Sequence, residues 1–327
     1  MAVYTHVSDD QIDAFLQAYD IGERVSFTGI KAGVENSNYL LVTSLLKTDK
    51  NRAILTLYEK RTKREDLPFF LGLMAHLGRR QIPCPLPIAA RDGSLMGELC
   101  EKPAALFSFL EGAAPERITP ALCAEVGMWL ARLHMAGEGM VLTRGNGMSL
   151  PAWRDLIGQC GDRANEVAPG FAEILKDELA FLSQSWPSNL PRGVIHADLF
   201  PDNVFFDGDK LCGMIDFYFA CTDFLAYDLV ITLNAWCFEQ NNVAFNITKA
   251  RALLRGYERV RPLTAEERWR LPTLARGASI RIIATRLYDW LHQVPGALVK
   301  AKNPLDYLTR LQFHQQISSL TAYGFDP

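Results

Sequence analysis

The spacing of apolar positions divides this chain into a β-rich first third and a mainly helical remainder. After Ser8, with Gln11 at capping-box distance, Ile12, Phe15, Leu16 and Tyr19 fall on one face of a 3.6-residue period, which predicts a short amphipathic helix. From about Arg24 to Glu59 the period drops to two. Val25 to Thr28, Tyr39 to Thr43 and Ala53 to Tyr58 read as three antiparallel strands separated by Gly-, Asn- or charge-rich segments. A helix is expected from about Asp66 to Gly78. Pro83, Pro85 and Pro87 then break helicity, and strand-like segments joined by the Asp92-Gly93 turn continue through Phe109. Thr119-Pro120, a capping residue before proline, opens the helical part, with later starts at Asn246, at Thr264 with Glu267, and at Asn303-Pro304. Only residues 193 to 216 or so interrupt it with β texture.

Composition narrows the class. At 327 residues, 49% hydrophobic and 22% charged, the chain can bury a sizeable core in one large domain or two lobes, and disorder, collagen-like repeats and coiled coils are set aside. Neither a secretory start nor an apolar run of membrane-spanning length is present, so a cytoplasmic protein with no membrane partner is expected. A net charge of −3 offers nucleic acid no electrostatic footprint and points to a small partner. The seven cysteines are scattered, odd in number and never in Cys-x-x-Cys spacing, which predicts free, mostly buried thiols.

Chemistry concentrates in His196-Ala-Asp198-Leu-Phe-Pro-Asp-Asn203 and, further on, Ile215-Asp216-Phe217. The His-x-Asp-Leu-x-x-x-Asn spacing and the later Asp-Phe match the parts with which protein kinases position a hydroxyl and hold magnesium. Phosphoryl transfer asks a protein mainly to align the acceptor oxygen and neutralise phosphate charge. Asp198 is thus the expected base, and Asn203 and Asp216 supply the hard oxygens that Mg2+ prefers. His196 is expected to brace the loop. A histidine-carboxylate metal hydrolase is the rival, but the other five histidines (6, 76, 134, 292 and 314) lie far apart without zinc-type pairing.

Between the first two predicted strands, Gly33, Asn36, Ser37 and Asn38 sit where a kinase folds a loop over nucleotide phosphates, with glycine allowing close backbone approach. The third strand departs from the kinase pattern. Thr56 stands at the place of the phosphate-binding lysine, so Lys60 or another nearby cation has to substitute, or the phosphates lean on metal and backbone. The stretch carrying Phe107 and Phe109 is where two lobes would join and where backbone groups would meet an adenine edge.

On these residues the chain resembles the aminoglycoside-phosphotransferase-like superfamily. Gly33-Val-Glu-Asn-Ser-Asn-Tyr39, Val194 to Asn203, Ile215 to Glu239, Arg281 to Asp289 and Asn303 to Tyr307 make it look, within that superfamily, like the bacterial homoserine kinases. The resemblance implies an α+β, bilobal protein-kinase-like fold, with a small antiparallel β-rich nucleotide lobe over residues 1–109 and a larger, mainly helical catalytic lobe over residues 110–327. It also implies ATP and Mg2+ as cofactors and L-homoserine as the phosphate acceptor, a step towards threonine, with a related kinase of choline, an aminoglycoside or another hydroxylated metabolite, or a non-catalytic nucleotide-binding scaffold, as the alternatives. Tyr218 replaces the glycine that follows Asp-Phe in protein kinases, so no activation-loop switch is carried over.

Charge bears on the acceptor independently. From Phe224 to Pro327 thirteen Lys or Arg face eight Asp or Glu, a surplus of five that suits a carboxylate-bearing substrate better than a polyamine. Arg281 and Arg286 lie in an apolar helical stretch where a guanidinium needs an anion. Arg286 is expected to pair with Asp289, and Arg281 is the candidate for the substrate carboxylate. Asp223 and Asp228 either bond a substrate amino group or cap the nearby helix, capping being the commoner fate.

Overall fold

The computed structural model describes residues 5–30, 36–46, 51–59, 62–239, 244–293 and 301–325. The chain forms two compact units, residues 1–112 with 212–218, and residues 113–211 with 219–327.

The first unit opens with helix α1 (Asp9–Leu16), started by the expected capping box between Ser8 and Gln11. Strands β1 (Arg24–Gly29), β2 (Ser37–Thr43) and β3 (Arg52–Leu57) follow, then helix α2 (Leu67–Arg79) and strands β4 (Pro87–Ile88), β5 (Gly97–Leu99) and β6 (Lys102–Ser108). The sheet is antiparallel in the order β1-β2-β3-β6-β4, with β5 also on β6. The turn at Asp92-Gly93 separates β4 from β5, which pair with β6 rather than with each other.

Register decides which side chains share a face, because directly opposed residues point the same way and neighbours alternate. Ser37 lies opposite Leu57 and Asn38 opposite Thr56, which in turn lies opposite Ala105. Tyr39, Leu41, Leu55, Leu57, Ala104 and Leu106 form one buried face, packed against Ile12, Leu16 and Tyr19. The amphipathic stripe of α1 finds its surface there. Asn38, Thr56, Ala105 and Phe107 belong to the opposite face.

The second unit is helical around two short β pieces. Its helices are α3 (Pro120–Ala136), α4 (Leu150–Cys160) and α5 (Phe171–Ser185), followed by strands β7 (Arg192–Ile195), β8 (Val204–Asp207), β9 (Lys210–Met214), whose later residues pass into the first unit, and β10 (Cys221–Phe224). Helices α6 (Leu225–Trp236), α7 (Ile247–Glu258), α8 (Ala265–Leu291) and α9 (Leu305–Gln315) complete it. Thr119, Asn246 and Thr264 cap their helices as expected, the last with Glu267 in a capping box. Helices α3 and α7 meet backbone to backbone. A Cβ added to Gly127 would stand 2.0 Å from the Leu253 carbonyl oxygen, and one at Gly256 2.2 Å from that of Ala124. Strand β10, antiparallel to β7 and directly preceding α6, lies beyond the β texture read from the sequence, because four residues are too few to show a period.

All seven cysteines are free and five are buried. Among the described residues no helix is long and apolar enough to cross a membrane.

A buried polar network ties α9 to α6. Asn234 spends its amide nitrogen on Ala275 O and Ser279 Oγ, so its Oδ1 accepts from His314 Nε2 at 2.6 Å, which leaves Nδ1 to accept from the Tyr323 hydroxyl at 2.8 Å. Burial, with the charges of Arg310 and Arg276, pushes the His314 imidazole down to about 3. A histidine kept neutral when folded takes up a proton on unfolding below its ordinary value of about 6.5. Its stabilisation is complete above that pH and is lost as pH falls towards about 3. Urea unfolding at stepped pH should therefore show stability declining from pH 6.5 to 4, at up to about 1.4 kcal/mol per pH unit from this group. The slope should be shallower in His314→Gln. An equal slope in the variant would remove His314 as the cause.

Candidate active site

The loop after β7 carries the strongest sequence signal, and it is held from below. Ala197 has φ 62°, a left-handed conformation that costs an alanine about 1–2 kcal/mol. Two hydrogen bonds from the backbone offset that cost: His196 N donates to Asp228 Oδ2 (2.7 Å) and Ala197 N to Asp228 Oδ1 (2.8 Å). Asp228 is wholly buried in α6, and its Oδ2 also meets His134 Nε2 at 3.0 Å. Tyr257 OH lies 2.7 Å from the other ring nitrogen of His134, so α3, α6 and α7 all bear on the loop. Burial alone would raise the Asp228 carboxyl. The bonds and charges from His134 and His196 outweigh it and hold the group below the usual carboxylate range.

On its upper side the loop presents Asp198. His196 Nδ1 accepts the Asp198 N–H at 3.2 Å, so the imidazole braces the turn. Pro201–Asn203 forms a single 3-10 turn, and Asn203 Nδ2 donates to both Asp198 O (2.9 Å) and Asp198 Oδ2 (3.2 Å). With its nitrogen so placed, Asn203 keeps Oδ1 as a hard oxygen donor. Arg281 is 3% exposed; its Nη1 donates to Ala197 O and its Nη2 lies 3.8 Å from Asp198 Oδ1. Trp236 Nε1 donates to Leu199 O at 2.8 Å and pins the next residue to α6. The structure thus gathers Asp198, Asn203 and Arg281.

Asp216 lies in the first unit, just beyond β9, with φ 65°, a conformation aspartate tolerates better than most residues. Phe217 is buried after it. Tyr218 sets its ring edge-on to Phe70 (5.7 Å) and Tyr58 (5.6 Å), an aromatic packing role that a glycine at this position lacks.

Of the expected phosphate loop, Gly33 lies outside the described residues, as does Lys60. The others divide between the two faces of the sheet. Ser37 is fully buried, donating to Glu59 Oε1 (2.7 Å) and accepting the Thr5 N–H (3.1 Å). Asn36 Oδ1 accepts the Glu59 N–H at 3.2 Å. Asn38 Oδ1 accepts from the Thr56 hydroxyl at 2.7 Å, on the face shared with Phe107. Lys102 pairs with Glu59, on the face of Ser37 and away from Thr56. Although burial alone would raise the Glu59 carboxyl, bonds from Lys102, Ser37 and Thr5 hold it below its ordinary value. This cluster went unread in the sequence. Its one signal is a glutamate closing an apolar strand.

Phe107 is buried in β6, a strand bonded on both sides, and Ser108 N donates to Leu86 O. Backbone available to an adenine edge therefore begins after Ser108. Phe109 carries the Arg52 guanidinium 4.0 Å from its ring centroid, and Arg52 also pairs with Glu111.

Three acidic or basic residues depart from expectation. Arg286 pairs with Asp306 (3.1 Å) and Asn303 O rather than with Asp289, because α9 brings its own carboxylate across. Asp223 is no helix cap: it sits in β10, bonded to Asn146 Nδ2 (2.7 Å) and near Arg192 (3.3 Å). Nor does Asp228 cap α6, since its carboxylate is spent on the backbone of His196 and Ala197.

Comparison with known proteins fits this geometry. The phosphotransferase enzyme family model matches residues 26–263. Homoserine kinase of Sinorhizobium fredii is 56% identical over 324 residues, covering 99% of this chain and 98% of the relative. Homoserine kinase of Rhodospirillum rubrum is 54% identical over 324 residues, with 99% of each covered. Among solved structures, an amicoumacin kinase in complex with AMP-PNP and Ca2+ superposes with a TM-score of 0.70 at 13% identity, covering 94% of each chain, a likeness of fold.

Proposed function

Because this chain belongs to the phosphotransferase enzyme family, we propose that it transfers the γ-phosphate of ATP to the hydroxyl of L-homoserine, giving ADP and O-phospho-L-homoserine. One observation carries the acceptor: 56% identity to a homoserine kinase across 99% of the chain. The surplus of five positive charges after Phe224 agrees, since a polyamine acceptor would want the opposite sign.

Asp198 accepts the proton of the acceptor hydroxyl as the new O–P bond forms and the bond to ADP breaks. Asn203 helps to fix the Asp198 carboxylate through its amide nitrogen. Arg281, with one nitrogen on Ala197 O and another facing Asp198, is a positioning residue for that carboxylate rather than the first contact for the substrate's own. The donor set fits Mg2+: the Asn203 amide oxygen and the Asp216 carboxylate are hard oxygens, the kind that ion takes. Bound by them, Mg2+ would neutralise phosphate charge. Asn38, with Gly33, Asn36 and Ser37 in the same segment, is assigned to the phosphates, the latter two shaping the loop through Glu59. Phe107 and Phe109 flank the adenine, and the protein works in the cytoplasm.

The test is ADP release from Mg-ATP with L-homoserine, choline, an aminoglycoside, L-serine, L-threonine or no acceptor. We expect kcat/KM for L-homoserine to exceed the others by about a hundredfold or more. Turnover with a different alcohol alone would keep the kinase and overturn the acceptor.

A further inference from the structure

The second unit holds an arginine that meets aromatic rings rather than an ion-pair partner among the described residues. Arg276 is paired with Glu178, Arg286 with Asp306 and Arg261 with Glu267, and Arg281 faces Asp198. Among the described residues Arg310 of α9 has no carboxylate at ion-pair distance. Its guanidinium lies between two rings, 4.1 Å from the centroid of Tyr307 and 5.3 Å from that of Phe238, and its Nε is buried without a hydrogen-bond partner. Burial and the charge of Arg286 pull its pKa below the ordinary arginine value, further than the Tyr307 hydroxyl and the charge of Asp306 restore it. Tyr307, 1% exposed, has a hydroxyl that is likewise buried without a hydrogen-bond partner.

Even with the Arg310 guanidinium against the Tyr307 hydroxyl, the Nε–H and the hydroxyl proton find no acceptor among the described residues, which is expensive unless an anion completes them. Their surroundings favour one. The Tyr307 hydroxyl lies within electrostatic range of Arg310, Arg286, Arg281 and Asp198. Asp306, the carboxylate that acts on Arg310, is itself paired with Arg286, and His314 is neutral. Around the Tyr307 hydroxyl, Arg310, Arg286 and Arg281 stand against Asp198, and Arg286 already has Asp306. A short hydroxy acid with its hydroxyl at Asp198 would bring its acid end into that field.

We propose that Arg310 and the Tyr307 hydroxyl form the subsite that binds the carboxylate of the acceptor substrate. The proposal rests on the homoserine reading above and deepens it. Arg310 supplies charge and orientation, Tyr307 a neutral donor, and together they select an amino acid over the corresponding amino alcohol.

The experiment compares wild type, Arg310→Gln and Tyr307→Phe on L-homoserine and on 3-amino-1-propanol, which is homoserine without its carboxyl group. Arg310→Gln should raise KM for L-homoserine about 10- to 100-fold, and Tyr307→Phe, which removes one oxygen and keeps the shape, about 3- to 10-fold. Both should leave KM for ATP, and kcat/KM for 3-amino-1-propanol, within about threefold of wild type. The rise in thermal midpoint that L-homoserine gives wild type should vanish in Arg310→Gln. Unchanged KM for L-homoserine in both variants, or equal losses on both acceptors, would overturn the subsite while leaving the functional reading intact. No turnover of L-homoserine by wild type would instead sink the functional reading, and the subsite's ligand with it.

Discussion

Asp198→Asn should lower kcat by about 10²- to 10⁴-fold, the usual range for loss of a positioned base. Asparagine keeps the shape and can still accept from Asn203, so the loop around it should hold. What it loses is the negative charge that draws the hydroxyl proton and balances Arg281 at 3.8 Å. ATP contacts are assigned elsewhere, so KM for ATP should stay within about twofold, and an interaction made only in the transition state should show in kcat and kcat/KM together. Steady-state kinetics with both substrates varied separates these terms. A kcat within about tenfold of wild type would take Asp198 out of the role of base.

The contacts around Asp198 were readable because they are local. Asp198, Asn203 and the brace of His196 lie within one loop, and spacing alone brings them together. Helix starts were readable for the same reason: a cap is a contact over three residues, as at Ser8, Thr119, Asn246 and Thr264. Contacts across long stretches of chain were not. Arg286 and Asp289 share a helical face, but the carboxylate that arrives is Asp306, from a helix whose docking no local pattern states. Asp228 looked like a cap because it follows a strand by a few residues, and only tertiary packing puts it under a loop thirty-two residues earlier. Alternation in β2 was legible, yet which face Ser37 or Asn38 takes depends on where α1 packs. Glu59 and Lys102 meet because β3 pairs with β6, a pairing between strands far apart in sequence.

Asp228→Ala should be the most damaging change outside the loop itself, and for two separable reasons. The side chain has no exposure and satisfies two backbone N–H groups and His134. Removing it leaves those groups buried and unanswered, which should cost about 3–5 kcal/mol, a large part of the stability of an ordinary domain. It also releases Ala197 from its left-handed conformation, so Asp198 should lose its aim even in molecules that stay folded. Asp228→Asn isolates the second effect. One amide oxygen can still accept a backbone N–H, while the other position now offers a donor to the remaining N–H and repels it. We expect a smaller stability loss than in the alanine variant, with kcat reduced at least about tenfold and KM for ATP unchanged. Acid dependence gives an independent readout. A carboxyl whose folded pKa is depressed contributes stability that is present above its unfolded value of about 3.9 and is lost as pH falls through the folded value. Below about pH 4, then, wild type should lose stability faster than Asp228→Asn. If the asparagine variant keeps wild-type kcat, the conformation of Ala197 does not depend on this anchor, and the remaining contacts of the loop, Arg281 on Ala197 O and Asn203 on Asp198 O among them, must hold the strain.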